Sequence, residues 1–184
     1  MPRKPDPLLE GRIQKAARKL FIKGGEKALS MRALARLAHT NTTAVYRRFR
    51  NRKAILRALL EQFQQDMYRV LQPCSSPQEA FQCILDFALA HPRQYELAFA
   101  EWAPRFQEPR PNFEYLKKKF AEWLGGSPED HLRLALGLWA QVHGTAMLLI
   151  SKAVLVKDQA ELRSASAASV ELLVSNASAH RKEI

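Results

Sequence analysis

Apolar residues recur at spacings of three and four along most of the chain, and this periodicity constrains the fold more than any other feature. Between Leu8 and Lys23, for example, six apolar positions fall on one side of a helix: Leu9, Ile13, Ala16, Ala17, Leu20 and Phe21. Long runs of β-branched and aromatic residues bounded by turn residues, which strands would require, are missing. Ala, Leu, Arg, Lys, Gln and Glu dominate instead and favour helix. The sequence therefore predicts an all-α protein.

Start and stop signals divide this periodic pattern into about nine helices. Ser30, Asn41 and Asn51 are residue types that can cap the second, third and fourth helices at their N-termini. On the second helix, Leu34 and Leu37 are expected to face inward. The predicted helices run over about 8–23, 31–38, 42–48, 52–71, 77–90, from Pro92 onward, 112–124, 128–152 and 157–180.

The positive charge of the chain is concentrated in its first third. Residues 1–60 hold sixteen Lys or Arg and three Asp or Glu, whereas residues 61–184 hold thirteen and fifteen. The formal net charge of +11 therefore comes from the N-terminal segment. This asymmetry predicts two units, the first of which meets a polyanion. A basic surface that only serves solubility is the alternative that charge alone leaves open.

Cysteine usage and apolar runs indicate where the chain resides. Cys74 and Cys83 are too few for a disulfide framework and fit a reducing compartment. The segment Met1–Glu10 is basic and proline-rich without an apolar stretch, which predicts no secretory signal. Thr145–Ile150, the longest apolar stretch near the C-terminus, is too short to span a bilayer. We therefore expect a cytoplasmic protein that does not bind membranes.

The second and third helices form a helix–turn–helix, in which the second member lies in the major groove of DNA. The exposed face of the third helix carries side chains that can bond bases and phosphates: Thr42, Thr43, Tyr46, Arg47 and Arg48. Arg52 and Lys53 in the first turn of the fourth helix oppose its dipole, which fits a phosphate above that terminus. Arg3 and Lys4 of the N-terminal arm are further candidate contacts. The module predicts DNA binding.

A string of apolar, glycine and capping positions runs through residues 12–60: Ile13, Ala16, Ala17, Leu20, Phe21, Gly24, Ser30-Met31-Arg32, Leu34-Ala35, Ala38, Val45-Tyr46, Phe49, Asn51 and Leu56. Taken whole, this string resembles the TetR family of bacterial transcription regulators. The resemblance implies a three-helix DNA-binding head in residues 1–50. It also implies that residues 51–184 form a connecting helix and a C-terminal domain for ligand binding and dimerisation.

The resemblance also implies roles for individual residues. Thr42, Thr43 and Arg47 would face bases, and Tyr46 and Arg48 would contact bases or backbone. Arg52 would hold a phosphate at the start of the fourth helix, and Arg32 matches a position that touches DNA in some members. The chain departs from the family in the turn, where His39 stands in place of glycine and Thr40 in place of an apolar residue. A left-handed turn strains any residue other than glycine, although histidine is among the more tolerated types, so this departure bears on the geometry of the turn and not on the fold.

The C-terminal helices carry a second, shorter resemblance. Trp139, His143 and Gly144 look like a Trp…His-Gly signature of one group of such regulatory domains, and His91-Pro92 looks like their helix restart. Family members form a ligand cavity and a dimer interface there. Aromatic residues at helical spacing pack in cores by default, but their density here hints at an apolar cavity. The candidate ligand-binding residues are Phe99, Trp102, Trp123, Trp139, His143 and Met147.

These features predict a sequence-specific transcriptional regulator, a repressor that a small apolar or aromatic effector releases from a palindromic operator on double-stranded DNA. The last two helices carry more apolar residues than one monomer can cover, which predicts a homodimer. The chain has no glycine-rich phosphate loop, zinc spacing or nucleophile elbow, so we expect no enzyme, metal or cofactor. A ligand-independent architectural DNA-binding protein, and a helical dimer whose basic end meets RNA or membrane, are the alternatives.

Overall fold

The computed structural model describes residues 8–100 and 111–179, and this part of the chain contains helices and no strand, as predicted. Short 3-10 turns stand at Glu26–Ala28, Pro128–His131 and Val156–Asp158. The α-helices of the described ranges are α1 (Leu9–Gly24), α2 (Met31–Leu37), α3 (Thr42–Arg48), α4 (Arg52–Leu71), α5 (Pro77–Ala90), α6 (Pro92–Ala100), α7 (Pro111–Leu124), α8 (Leu132–Ile150) and α9 (Gln159–Ala179).

The chain divides into two compact units. The described part of the first unit comprises residues 8–63 and 93–100, and that of the second comprises 64–92 and 111–179. The helix α4 contributes residues to both. None of the helices in the described ranges is long and apolar enough to cross a membrane.

Side-chain caps define the helix starts in the first unit. Ser30 Oγ, Asn41 Oδ1 and Asn51 Oδ1 each accept a hydrogen bond from the backbone N–H three residues further on, at 3.1, 2.8 and 2.9 Å. Each cap satisfies one of the N–H groups that a helix leaves unpaired in its first turn. The boundaries of α2, α3 and α4 therefore follow from residues that the sequence already singled out.

The core of the first unit is formed by buried apolar residues from α1 to α4: Ile13, Ala16, Ala17, Phe21, Leu29, Leu34, Ala35, Ala38, Val45, Phe49, Ile55, Leu56 and Leu59. Leu97 of α6 packs against it. One expectation is wrong: Leu37 does not face inward with Leu34 but is 38 % exposed. The cause is the angular position of Leu37, which lies about 110° around α2 from the centre of the face that Leu34, Ala35 and Ala38 bury.

The turn between α2 and α3 has a left-handed residue at His39, whose φ is 52°, so the turn keeps this conformation without glycine. Around it, the Thr40 N–H donates to Ala35 O at 2.9 Å and the His39 N–H donates to Arg36 O at 3.3 Å. These two bonds form the Schellman pattern that ends many helices, with His39 where glycine is commonest. Arg12 Nε of α1 donates to Ala38 O at 3.3 Å and ties the turn to the first helix.

In the second unit, α8 and α9 pack antiparallel. Near one end of the contact, a Cβ added at Gly137 of α8 would meet Leu173 of α9 at 3.2 Å. Further along α8, Thr145 meets Ser166, which comes earlier on α9, so the two helices run in opposite directions. The Thr145 and Ser166 hydroxyls are buried and 2.7 Å apart. Because Thr145 Oγ1 donates to Gln141 O at 2.7 Å, Ser166 is the donor between the two hydroxyls.

Lys117 of α7 is buried and pairs with Glu129 in the connection to α8. Its Nζ lies 2.9 Å from Glu114 and 3.1 Å from Glu129, and the hydrogen bonds that the ammonium group donates to these two carboxylates raise its pKa. The sequence predicts one helix from Pro128, but Pro128–His131 forms a 3-10 turn and α8 begins at Leu132. In this tighter turn the Ser127 N–H donates to Asp130 Oδ2 at 2.8 Å.

Both cysteines lie in the second unit as free thiols. Cys74 is buried in the turn after α4, where its thiol donates to Val70 O at 3.4 Å. Burial raises the pKa of Cys74 to about 12, and a hydrogen bond with Cys83 adds to the shift. Cys74 is therefore a protonated, unreactive thiol at pH 7.

Candidate DNA-binding interface

The helix α3 presents its predicted contact residues on one exposed surface. Val45 and Phe49 are buried in the core of the first unit and anchor the helix four residues apart. The residues between and around these anchors are all exposed: Thr42, Thr43, Tyr46, Arg47 and Arg48. They offer hydroxyl groups and guanidinium forks, which can bond both base edges and phosphate oxygens.

Three further predicted contacts surround α3 within the same unit. Arg32 is exposed in the first turn of α2, and Arg52 and Lys53 are exposed in the first turn of α4. Two cations at the start of α4 interact unfavourably with the positive end of the helix dipole, and a DNA phosphate bound there would offset this cost in free energy. Arg3 and Lys4 of the arm lie outside the described residues.

Two of the predicted arginines form ion pairs that the sequence did not indicate. Arg48 Nη1 lies 3.6 Å from Glu10 Oε2 on α1, and Arg52 Nη2 lies 2.8 Å from Glu26 Oε1 in the turn before α2. The partners are 38 and 26 residues apart in the chain, so no local spacing rule could have paired them. Glu10 and Glu26 are therefore functional candidates that sequence reasoning missed.

Half of the residues predicted to bind a ligand share one stripe of α8. Trp139, His143 and Met147 follow one another at four-residue intervals and are all half-buried. Phe113 of α7 packs edge-on against Trp139, with ring centroids 5.9 Å apart. Burial lowers the pKa of His143, so its imidazole is neutral at pH 7 and offers one donor and one acceptor. Phe113 is an aromatic neighbour that the candidate ligand-binding residues did not include.

Of the other predicted ligand residues, Trp123 does not join this stripe. Trp123 contacts Phe120 at 5.9 Å and lies under the Lys119 ammonium at 5.3 Å. It is ten residues, or about 15 Å, along α7 from the Phe113 that meets Trp139. Phe99 belongs to the first unit, where it packs against Tyr95 at 4.6 Å. Trp102 lies outside the described residues.

Metal-ligating side chains do not cluster in the described ranges. No three His, Cys, Asp or Glu residues of residues 8–100 and 111–179 come close enough together to hold an ion.

Two family models match the chain. Residues 13–59 match the model of bacterial regulatory proteins of the tetR family, and residues 78–177 match the tetracyclin repressor-like C-terminal domain. The second match alone spans more than half of the chain. No curated protein sequence matches at a significant level.

Several solved structures share the fold over nearly the whole length. A TetR variant from Acinetobacter baumannii AYE, solved in complex with minocycline, is 19 % identical, with a TM-score of 0.65 over 94 % of this chain and 96 % of that one. A protein of unknown function from Rhodococcus sp. RHA1 is 21 % identical, with a TM-score of 0.71 over 95 % and 97 %. The multidrug binding protein EbrR, solved with imidazole, is 19 % identical, with a TM-score of 0.65 over 94 % and 93 %.

Proposed function

The chain belongs to the TetR family of bacterial regulatory proteins and is a DNA-binding transcriptional regulator, and from this premise we propose that it is a repressor. It binds a palindromic operator as a homodimer and leaves the operator when a small apolar or aromatic ligand binds. The observation that carries the DNA-binding role is the exposed polar surface of α3, held in place by buried Val45 and Phe49. Such a protein acts in the bacterial cytoplasm, on the nucleoid when it is bound to DNA.

We assign DNA binding to residues 1–50 and ligand binding and dimerisation to residues 51–184. In the DNA complex, Thr42, Thr43 and Arg47 read bases, while Tyr46 and Arg48 contact bases or backbone. Arg52 and Lys53 hold phosphates, and the further contacts come from Arg32, Arg3 and Lys4. Contacts with bases select the DNA sequence. Contacts with phosphates set the register of the protein on the DNA and supply most of the salt-dependent affinity.

Selection of binding sites from random double-stranded DNA tests the proposal. The expected result is a two-fold symmetric consensus with half-sites about one helical turn, or a multiple of it, apart. A footprint of this kind separates a regulator from the architectural alternative, which would protect DNA without sequence preference. Enrichment of no sequence at any salt concentration would contradict the proposal.

The proposed homodimer is supported by apolar residues that α8 and α9 leave uncovered in the described structure. Five residues of α8 at four-residue intervals are exposed in the protomer: Leu132, Leu136, Ala140, Gly144 and Leu148. On α9, Leu172 is 66 % exposed, and Ala165 and Ala168 precede it on the same side. A Cβ at Gly144 would meet nothing within 4 Å in the described structure, which leaves room for the close approach of a partner helix. Two copies joined through these stripes form a four-helix bundle.

Ligand control follows from the stripe of Trp139, His143 and Met147. The structural neighbours solved with minocycline and with imidazole bind small molecules, and we extend this property to the present chain. A ligand against this stripe would meet aromatic surface and one neutral imidazole. The helix α4 belongs to both units, so a ligand that shifts residues 64–71 also shifts Arg52 and alters the half-site spacing.

Substitution in this stripe gives a testable outcome. We expect Trp139→Ala and His143→Ala to bind operator normally but to need at least about tenfold more ligand for release, because each removes contacts made only by the ligand-bound state. The measurement is release of operator DNA by a panel of apolar and aromatic compounds. Trp123→Ala is the matched control, since Trp123 lies elsewhere on α7. Unchanged ligand response in folded Trp139→Ala and His143→Ala proteins would place the ligand site elsewhere.

A further inference from the structure

Glu10 and Glu26 are the two acidic residues among residues 8–60, and each forms an ion pair with a predicted DNA contact. We propose that these two carboxylates lower the DNA affinity of the first unit by competing with phosphates for Arg48 and Arg52. The inference rests on the proposed function, and it assigns to that interface two residues that set how tightly it binds.

The position of Glu26 is held by the local backbone. Gly25, with φ of 62°, reverses the chain after α1, and Glu26 begins the 3-10 turn that follows. The Leu29 N–H donates to Glu26 O at 3.1 Å, and the Leu29 side chain is buried in the core of the first unit. The carboxylate that faces Arg52 therefore extends from an anchored turn.

The two ion pairs contribute little to folding. The Arg52 and Glu26 side chains are 51 % and 36 % exposed, and those of Arg48 and Glu10 are comparably exposed. Exposed pairs of this kind stabilise a fold weakly, because water solvates both charges and salt screens them. A role in stability is thus a poor explanation for placing both carboxylates beside the arginines that meet DNA.

The two carboxylates affect the free energy of DNA binding more than that of folding, because one guanidinium cannot bond both a carboxylate and a DNA phosphate without a cost in free energy. When a phosphate reaches Arg52, the Glu26 carboxylate must either give up its bond at 2.8 Å or stay close to a second anion. Both outcomes weaken binding. An arginine that is already paired also displaces less of the cation atmosphere of DNA, so the salt dependence becomes shallower.

Glu26→Gln tests the competition, since it removes the charge and keeps the size of the side chain. We expect operator affinity to rise about three- to tenfold at low salt and the gain to shrink as salt increases. Glu61→Gln is the matched control. Glu61 pairs with Arg57 at 3.2 Å in the same unit and is similarly exposed, but it lies nine residues, or about 14 Å, along α4 from Arg52. That variant should bind within twofold of the unchanged protein.

A double-mutant cycle shows whether Glu26 acts through Arg52. In an Arg52→Gln background, the gain from Glu26→Gln should fall below about twofold, because the contested guanidinium is gone. Glu10→Gln in the Arg48→Gln background should behave in the same way. Thermal unfolding of each variant accompanies the binding titrations.

The outcomes separate this inference from the function on which it rests. If Glu26→Gln binds operator as the unchanged protein does or more weakly, or keeps its full gain in the Arg52→Gln background, the competition does not occur and the proposed function stands. If the unchanged protein selects no DNA sequence, the proposed function fails and this inference fails with it. If Glu61→Gln raises operator affinity as much as Glu26→Gln does, the increase comes from the change in net charge, and the proposed competition for Arg52 is wrong.

Discussion

Leu136→Glu is expected to produce monomers and to lower operator affinity by about a hundredfold or more. Leu136 is 45 % exposed in the middle of the uncovered α8 stripe. In the proposed four-helix bundle it would be buried against the partner copy, where an unpaired carboxylate is costly. A monomer engages one half-site at a time and loses the advantage of binding two linked half-sites.

Sedimentation at micromolar concentration measures the change in mass, and circular dichroism verifies that the variant stays helical. Ile22→Glu is a suitable control, because Ile22 is exposed to a similar degree on α1 and lies outside the proposed interface. The Ile22→Glu variant should remain a dimer. If the wild-type protein sediments as a monomer at micromolar concentration, the proposed homodimer is wrong.

Arg47→Ala is expected to weaken operator binding by about 1–3 kcal/mol, roughly 5- to 150-fold, and to relax the preference at one position of each half-site. Arg47 is exposed on α3. A guanidinium that donates to both O6 and N7 distinguishes guanine from the other bases, and alanine cannot replace it. Titration against a set of single-base operator variants measures both effects.

Arg52→Ala provides the contrast. It should weaken binding to all sequences alike and reduce the slope of log affinity against log salt by about one, as expected for the loss of one phosphate contact. If both variants lost affinity without any change in preference, Thr42, Thr43 and the arm residues Arg3 and Lys4 would be the better candidates for base reading. Tyr46→Phe should cost less than either, because only a hydroxyl is removed.

Much of the first unit was predictable because its signals are local. Ser30, Asn41 and Asn51 cap the helices that they precede in the sequence, and Val45 and Phe49 point inward together as their spacing requires. Even the histidine in the turn adopts the conformation that the family pattern demands of glycine. Caps, helical spacing and turns depend on neighbours within about five residues, so a single sequence contains them.

The remaining features depend on contacts between distant parts of the chain. The ion pairs of Glu10 and Glu26, and the packing of Phe113 on Trp139, join separate helices or a helix and a turn. Phe99 stands at helical spacing like Phe113 and Trp139, yet it belongs to the first unit and they belong to the second. Periodicity indicates which face of a helix is buried but not which helix covers it.

The buried hydroxyls of Thr145 and Ser166 have a consequence for how this protein can change over evolution. A slip of α9 by one turn, about 5.4 Å, would separate the two hydroxyls. Thr145 would keep its bond to Gln141 O, and the buried Ser166 hydroxyl would lose its acceptor, at about 1–3 kcal/mol. A purely apolar contact would tolerate such sliding. The alignment of α8 and α9 therefore depends on two small polar side chains together with the close packing of Leu173 against Gly137. Bulky residues elsewhere on these two helices can change while both contacts keep the alignment.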